Sequence, residues 1–228
     1  MPTFVDSIQE IPFTTDQYVD QVFKKIFIVL HHTASDANPF GVASWWLQTV
    51  ERVGTAFIIA GKANTTKKWV DGGIFQCFNS SNASWHLGTT QKDLDRGKPG
   101  NATSTFLNMN SIGIELCNFG FLVEKGQSFV SYTGAKIPDN EIEEFKTAFR
   151  GYHYYHKYTD AQLESCQKLI IYLADKYSIP QKYVGMKLFD ICPDAIRGVP
   201  AVWSHVNFRV DKYDLNPQKN LISMLETL

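Results

Sequence analysis

Three side chains that can bind a divalent metal ion lie far apart along this chain. His31 ends the apolar segment IVLH, His205 follows AVWS, and Asp214 lies further along in HVNFRVDKYD. Two imidazoles and a carboxylate can fill three corners of a zinc tetrahedron, and a catalytic zinc ion leaves the fourth corner open for water. The residue types therefore predict a Zn²⁺ site, with Asp211 as the alternative to Asp214.

A glutamate and a lysine could complete a hydrolytic site around such an ion. Glu115 lies in the segment SIGIEL, and Lys212 lies two positions before Asp214. A carboxylate can accept a proton from an attacking water, and a cation can stabilise the oxyanion that then forms. A solvent-exposed strand glutamate and a surface lysine are the alternatives that residue type alone leaves open.

Short apolar segments are predicted to carry these side chains. Residues 26–30, 111–116 and 201–204 are mostly apolar and predict buried strands. The first of them ends next to His31. Residues 55–59 are also predicted to be extended, which gives the chain a strand, helix and strand at its start.

Helix signals occur in three places. Residues 38–53 predict a helix that begins with Asn-Pro and stops before a glycine. Residues 159–177 predict the clearest helix, since Thr159 and Gln162 form a capping box ahead of one apolar face. A short final helix is predicted from residue 216, where Asn-Pro recurs.

Turn and loop signals occupy the segments between these elements. Residues 68–78 predict a hairpin around Asp-Gly-Gly, and the polar residues 88–110 predict a long surface loop. Apolar segments within 121–132 predict a further hairpin, and 152–158 an additional extended piece. Together they suggest an inserted region at about 117–158.

These elements predict an α/β fold, in which a mixed central β-sheet is flanked by helices and the zinc site lies in a surface groove. A chain of 228 residues suits one domain. We expect a single domain over residues 26–228 that contains the inserted hairpin region at about 117–158. Residues 1–25 are expected to form an N-terminal extension packed on that domain.

Composition limits the partners and the compartment. A formal net charge of −1 gives no electrostatic reason to expect nucleic acid or a membrane as a partner. The N-terminus lacks the basic residues and the apolar run of a secretory signal, so we expect synthesis in the cytoplasm without a signal peptide. The four cysteines show no CxxC spacing, which predicts reduced and mostly buried thiols. We also expect a monomer.

The order of five short motifs resembles a known enzyme family. The motifs are HHTAS, SWHLG at 84–88, SIGIEL at 111–116, YTDAQL at 158–163, and His205 followed by KYD at 212–214. This order resembles that of the zinc-dependent N-acetylmuramoyl-L-alanine amidases, a superfamily that includes phage endolysins, bacterial recycling amidases and peptidoglycan recognition proteins. The resemblance extends from about residue 26 to the C-terminus, and it rests on the order of the motifs.

The resemblance implies a role for each candidate residue. His31, His205 and Asp214 match the Zn²⁺ ligands, and no cysteine follows His205 that could replace Asp214. Glu115 matches the glutamate that passes a proton from water to the leaving amine. Lys212 matches the lysine that stabilises the oxyanion.

The resemblance also bears on residues around the cleft. His86 in SWHLG matches a position that lines the substrate cleft, and Trp85 could supply an apolar wall there, with core packing as the alternative for both. Some phage members use a tyrosine as the catalytic residue. Thr55 stands at that place here, which favours Glu115 as the base.

The implied reaction is hydrolysis of the amide bond between N-acetylmuramic acid and L-alanine, with peptidoglycan or a muropeptide as substrate. A phage-type endolysin that acts on the bacterial cell wall is the expected role. The alternatives are a cytosolic amidase that recycles soluble muropeptides and a recognition protein that binds peptidoglycan without cutting it.

Overall fold

A computed structural model describes residues 4–62 and 68–228 of the chain. Among these residues the strands are β1 (Gln9–Glu10), β2 (Phe27–His32), β3 (Phe57–Ile59), β4 (Ile74–Gln76), β5 (Ser111–Leu116), β6 (Phe121–Lys125), β7 (Ser128–Ser131), β8 (Lys136–Ile137), β9 (Ile142–Phe149), β10 (Tyr152–His156) and β11 (Val202–Ser204). The α-helices are α1 (Pro39–Trp46), α2 (Gln91–Leu94), α3 (Ser104–Met109), α4 (Asp160–Tyr177), α5 (Pro193–Ile196) and α6 (Lys219–Leu225).

A mixed sheet of six strands forms the centre of the fold, in the order β1-β4-β3-β5-β2-β11. β3, β5, β2 and β11 run parallel to one another, whereas β4 is antiparallel to β3. Every residue of β2 and β5 is buried, as expected for parallel strands that are covered on both faces. The predicted α/β class with a mixed central sheet is confirmed.

The two faces of the central sheet contact different cores. β2 directs Ile28 and Leu30 into the larger hydrophobic cluster, to which α4 and α6 contribute. It directs Phe27 and Val29 into a smaller cluster on the other face. Since side chains alternate along a strand, His31 lies on the face of the smaller cluster. The strand that carries this histidine is therefore fixed by packing on both sides.

α4 covers the larger cluster, and its start is tied to the central sheet. The Thr159 hydroxyl accepts a hydrogen bond from the backbone N–H of Gln162, and the Gln162 side chain accepts one from the backbone N–H of Thr159. The Gln162 amide also donates to the Cys117 carbonyl, directly after β5, at 2.9 Å. The predicted capping box and helix are confirmed.

A second sheet lies within residues 121–156 and is antiparallel throughout, in the order β8-β7-β6-β10-β9. β6 and β7 form the predicted hairpin, with Gly126 in the left-handed conformation at the turn (φ 63°). β10 is the predicted extended piece. β9, which the sequence does not predict, pairs with β10 at the edge of this sheet.

The N-terminal segment packs on the central sheet. β1 pairs with β4 at the sheet edge, and the Phe13 side chain lies in the larger cluster. Residues 1–3 of the predicted extension lie outside the described residues.

The first helix is shorter than predicted. α1 ends at Trp46, and Val50 is 92% exposed. The Thr49 hydroxyl donates to the Trp46 carbonyl at 2.9 Å, and such a bond competes with the next helical turn. Apolar residues at helical spacing after Trp46 therefore do not continue the helix.

Three other sequence expectations also differ from the structure. The chain pairs β4 with β3 instead of with residues 68–70, because Ala60 exchanges backbone hydrogen bonds with both Gly72 and Gly73. The predicted loop 88–110 contains α2 and α3. The side chains of two threonines cap the N-termini of these helices. The final helix begins at Lys219, later than predicted, because the preceding residues are hydrogen-bonded to Tyr158 instead.

In the part of the chain that the structure describes, every helix is too short or too polar to cross a lipid bilayer. The four cysteines are free and buried, which confirms the prediction of buried, reduced thiols.

Candidate metal centre and active site

The three predicted metal ligands converge at one point in the structure. His31 is the second-last residue of strand β2, His205 follows β11 directly, and Asp214 lies in the segment after it. His31 Nδ1 and His205 Nδ1 are 3.0 Å apart, and Asp214 Oδ2 lies 3.0 Å from His205 Nδ1 and 3.4 Å from His31 Nδ1. All three residues are buried. β2 and β11 are parallel neighbours, so the chain brings both histidines to the same end of the central sheet.

Burial and charge set the protonation of this centre. Burial, followed by the proximity of His205, lowers the pKa of His31 to about 4. Burial alone would raise the pKa of Asp214, but the adjacent His205 and His31 hold it well below its usual range. Near neutral pH the centre therefore contains a neutral His31 imidazole and an ionised Asp214 carboxylate.

The outer nitrogens of both histidines are held by other protein groups. His31 Nε2 lies 2.9 Å from His86 Nδ1, and His86 Nε2 lies 2.7 Å from Ser111 Oγ. His205 Nε2 lies 2.9 Å from the Leu87 carbonyl oxygen. These contacts fix the orientation of both rings, with each Nδ1 directed into the centre.

Glu115 lies beside His31 on the neighbouring strand. The register of β5 against β2 pairs Glu115 with His31 and places both side chains on the same face of the sheet. Burial, and then the charge of Asp214, raises the pKa of Glu115 well above its usual range, whereas the Lys212 ammonium lowers it. Lys212 is half-buried. Its charge also acts on His31, so the lysine lies within the electrostatic range of the centre.

His32 occupies the opposite face of β2 from His31. Its Nδ1 lies 2.7 Å from the Tyr158 hydroxyl, which also accepts a hydrogen bond from the Asn216 amide. A Cβ atom at Gly120 would lie 2.7 Å from His32 Nε2, so only glycine fits at that position. His32 therefore connects the end of β2 that carries His31 to the start of the second sheet.

Three other residues considered from the sequence form hydrogen bonds with groups other than the three predicted ligands. Asp211 is exposed and forms a two-point ion pair with Arg209, at 2.7 and 3.0 Å. The buried Thr55 hydroxyl donates to the Phe57 carbonyl at 2.8 Å. Trp85 is half-buried, and its backbone N–H donates to the Arg52 carbonyl.

The His86 ring contacts the centre through hydrogen bonds that the sequence did not predict. The ring is buried, and both of its nitrogens contact protein groups, His31 and Ser111. Sequence reasoning identified His86 but not its partners. Ser111, the first residue of SIGIEL, is a polar residue at the start of a predicted buried strand, and this is a sequence signal that could have identified it. The Leu87 carbonyl gives no sequence signal, because every residue has one.

Two comparisons of the sequence with known proteins gave different results. The sequence model of the family described as N-acetylmuramoyl-L-alanine amidase matches residues 24–217. A search of curated protein sequences gives no match.

Solved structures share the fold at low sequence identity. PlyL is 15% identical, with a TM-score of 0.51 over 96% of this chain and 95% of that one. A selenomethionine derivative of AmpD is 16% identical, with a TM-score of 0.50 over 96% and 94%. AmpDh3 from Pseudomonas aeruginosa is 19% identical, with a TM-score of 0.50 over 91% of this chain and 61% of that one. The family match spans most of the sequence, and the chain belongs to the N-acetylmuramoyl-L-alanine amidase family, enzymes that act on peptidoglycan.

Proposed function

We propose that His31, His205 and Asp214 hold one Zn²⁺ ion, and that Glu115 and Lys212 are the catalytic residues of the amidase. The observation that carries this proposal is the spacing of the three ligand atoms, 3.0, 3.0 and 3.4 Å. Ligand bonds of about 2.0–2.1 Å at tetrahedral angles place ligand atoms about 3.3 Å apart. The residues present therefore fit a zinc ion.

The donor set also fits a catalytic ion rather than a structural one. Two imidazoles and one carboxylate provide three ligands, which leaves one tetrahedral position for water or substrate. When bound, Zn²⁺ supplies a Lewis acid that polarises the scissile carbonyl and lowers the pKa of water.

Glu115 acts as the proton shuttle in this proposal. The carboxylate takes a proton from the attacking water and returns it to the amine of L-alanine as the amide C–N bond breaks. Burial raises the pKa of Glu115, and a divalent cation beside it would favour the ionised form again. These two opposing influences on its pKa suit the carboxyl group to accept a proton and then to donate it within one reaction cycle.

Lys212 stabilises the negative charge that develops on the carbonyl oxygen. Lys212 is half-buried and precedes Asp214 by two residues. One short segment therefore positions the third proposed ligand and the cation together. Removal of a single oxyanion-stabilising donor from other hydrolases typically costs about 100- to 1,000-fold in kcat.

We propose polymeric peptidoglycan as the substrate, in the manner of an endolysin, with the region 117–158 as an inserted wall of the groove. Three half-buried aromatic rings support this. Phe121 stacks on Tyr152 at 3.9 Å, and Tyr213 lies 5.0 and 5.6 Å from these two rings. We call them the aromatic cluster. Tyr213 lies between Lys212 and Asp214 in sequence, so the cluster borders the centre.

Aromatic rings suit a glycan strand, because the C–H face of a sugar ring packs on an aromatic face while its hydroxyls remain in water. A soluble muropeptide has one or two sugars, whereas a strand of the wall has many. The aromatic cluster beside the centre therefore favours polymeric peptidoglycan as the substrate.

The test is product analysis with two substrates. Purified sacculi should release stem peptides with a free L-alanine amine, at a rate at least comparable to that on soluble anhydromuropeptides. Activity on the soluble substrate with none on sacculi would instead identify a recycling amidase. Binding to sacculi without release of peptide would identify a recognition protein.

A further inference from the structure

The segment His86-Leu87 supports both histidines of the proposed centre. The His86 ring contacts His31, and the Leu87 carbonyl contacts His205. The backbone N–H groups of His86 and Leu87 both donate to the Asn108 side-chain oxygen at 3.0 Å. A single buried asparagine thus fixes the segment that orients both rings.

The direction of hydrogen bonding at His205 follows from its partner. A backbone carbonyl can only accept a hydrogen bond, so His205 Nε2 must carry the hydrogen that points to Leu87. The Leu87 carbonyl thus fixes the orientation of the ring, and His205 Nδ1 faces the Asp214 carboxylate and His31 Nδ1 across the centre.

The direction of hydrogen bonding at His31 is fixed through Ser111 and His86. Ser111 Oγ lies 2.7 Å from the Leu107 carbonyl oxygen and 2.7 Å from His86 Nε2. The carbonyl cannot donate, so the single hydroxyl hydrogen of Ser111 points to Leu107, and His86 Nε2 must donate to Ser111 Oγ. His86 Nδ1 then accepts from His31 Nε2, which leaves His31 Nδ1 unprotonated.

The opposite direction would leave a close contact without a hydrogen. If Ser111 donated to His86, then Ser111 Oγ and the Leu107 oxygen would lie 2.7 Å apart with only lone pairs between them. Another carbonyl, that of Asn108, lies 3.2 Å from the same hydroxyl and favours the same direction.

We infer that His86 is a positioning residue. The Leu107 carbonyl sets the direction of the hydrogen bonds through Ser111, and His86 passes this direction on to His31. His31 is thus held in the tautomer whose Nδ1 is free to bind the metal ion. The fold makes room for this ring at Gly113 of β5, where a Cβ atom would lie 3.2 Å from His86 Nδ1. With the His205 ring oriented by Leu87, Nδ1 of both histidines and the Asp214 carboxylate face one another at the centre, where a cation can bind all three.

Zinc affinity provides the first test, and it rests on the proposed zinc site. Outer-sphere partners of ligating histidines typically contribute about 10- to 100-fold in metal affinity. We expect His86→Ala to raise the Kd for Zn²⁺ by that factor, in competition with a chelator at constant pH. His86→Gln should restore most of the affinity, since its amide oxygen can accept from His31 and its amide N–H can donate to Ser111. His156→Gln, a matched change at a half-buried histidine outside the relay, should bind zinc like the unaltered protein.

Ring-nitrogen NMR of the metal-free protein provides the second test and needs no metal. We expect His31 to carry its hydrogen on Nε2, and to lose this preference in His86→Ala and Ser111→Ala. A hydrogen on Nδ1 of His31 in the unaltered protein, or unchanged zinc affinity in His86→Ala, would overturn the inference. Equal weakening by His86→Gln and His86→Ala would also overturn it. If the unaltered protein binds no zinc, the proposed site fails, and the tautomer result still decides the role of His86.

Discussion

The two sheets of this protein expose very different fractions of their residues. In the central sheet, every residue of β2 and β5 is buried, and these strands carry His31 and Glu115. In the second sheet, no residue of β9 is buried and three of the five residues of β6 are exposed. The first sheet is a rigid support for chemistry, whereas the second presents surface to solvent next to it.

This difference separates two requirements of the enzyme. Ligand atoms must be held to within tenths of an ångström, and packing on both faces of a parallel strand provides that. A polymer substrate needs an accessible surface, which a half-exposed antiparallel sheet provides. Changes in the central sheet should therefore affect the reaction itself, and changes in the second sheet should affect the choice of substrate.

The largest effect should come from removal of one of the proposed metal ligands at the end of the central sheet. We expect His31→Ala and Asp214→Ala to lose bound zinc, and to lose activity by roughly 1,000-fold or more, because each leaves the ion with two protein ligands. Metal analysis by mass spectrometry and peptide release from sacculi measure both.

Asp211→Ala is the matched control for Asp214→Ala. Its carboxylate is exposed and paired with Arg209, so zinc content and activity should remain. A site emptied by Asp211→Ala and filled in Asp214→Ala would mean that the third ligand is Asp211.

The next largest effect should come from Glu115→Gln. The amide keeps the size of the side chain but cannot accept a proton, so we expect turnover to fall by about 100- to 10,000-fold with zinc content unchanged. Glu124→Gln makes the same change at an exposed position of β6 and should leave turnover unaltered. Full turnover in Glu115→Gln would remove the glutamate from the mechanism.

The sequence predicts the central sheet and its site better than the second sheet, for physical reasons. The strand 111–116 and the helix 159–177 carry their signals locally, as an apolar run and as a capping box with one apolar face. β9 has no such signal, because its residues are half-exposed or exposed and therefore show no simple alternation. A strand at the edge of an exposed sheet is defined by its partner rather than by its own burial.

The same contrast holds within the candidate site. The candidate ligands His31, His205 and Asp214 are predicted from residue type and motif order. The position of His86 is not, because its ring is held by His31 on one strand and Ser111 on the next, while its backbone N–H donates to Asn108. The early end of α1 depends on one side chain, the Thr49 hydroxyl bonded to Trp46.

A smaller effect, of a few kcal/mol, should appear in the pH dependence of the metal-free protein. Burial lowers the pKa of His31 and of His32 to about 4. The unfolded chain protonates these groups below about 6.5, so the free energy of unfolding should fall as the pH is lowered from 6.5 towards 4. Each histidine contributes at most about 1.4 kcal/mol per pH unit in that range.

Glu115 acts in the opposite sense. Its pKa is raised in the folded protein, so above about 4.5 the folded state keeps a proton that the unfolded state has lost, and stability falls as the pH rises. Glu115→Gln removes this opposing contribution. Urea unfolding at pH 5, 6 and 7 with a chelator should therefore show a steeper pH dependence in the variant and higher stability at pH 7. Equal slopes would mean that Glu115 is ionised in the folded metal-free protein.

The smallest effect should come from the second sheet, and it concerns substrate choice rather than chemistry. Tyr152 stacks on Phe121 at 3.9 Å within the aromatic cluster. Loss of one such ring typically costs about 0.5–1.5 kcal/mol of binding, so Tyr152→Ala should raise the KM for sacculi by about 2- to 10-fold with kcat unchanged. The KM for a soluble muropeptide should rise less, because a substrate with one or two sugars covers less of the aromatic cluster than a glycan strand does. Tyr154→Ala is the control from the same strand, since Tyr154 belongs to a separate pair with Phe129 at 4.4 Å. If Tyr152→Ala affects both substrates equally, the second sheet supports the site by packing alone, and the division between a rigid and a substrate-facing sheet does not hold.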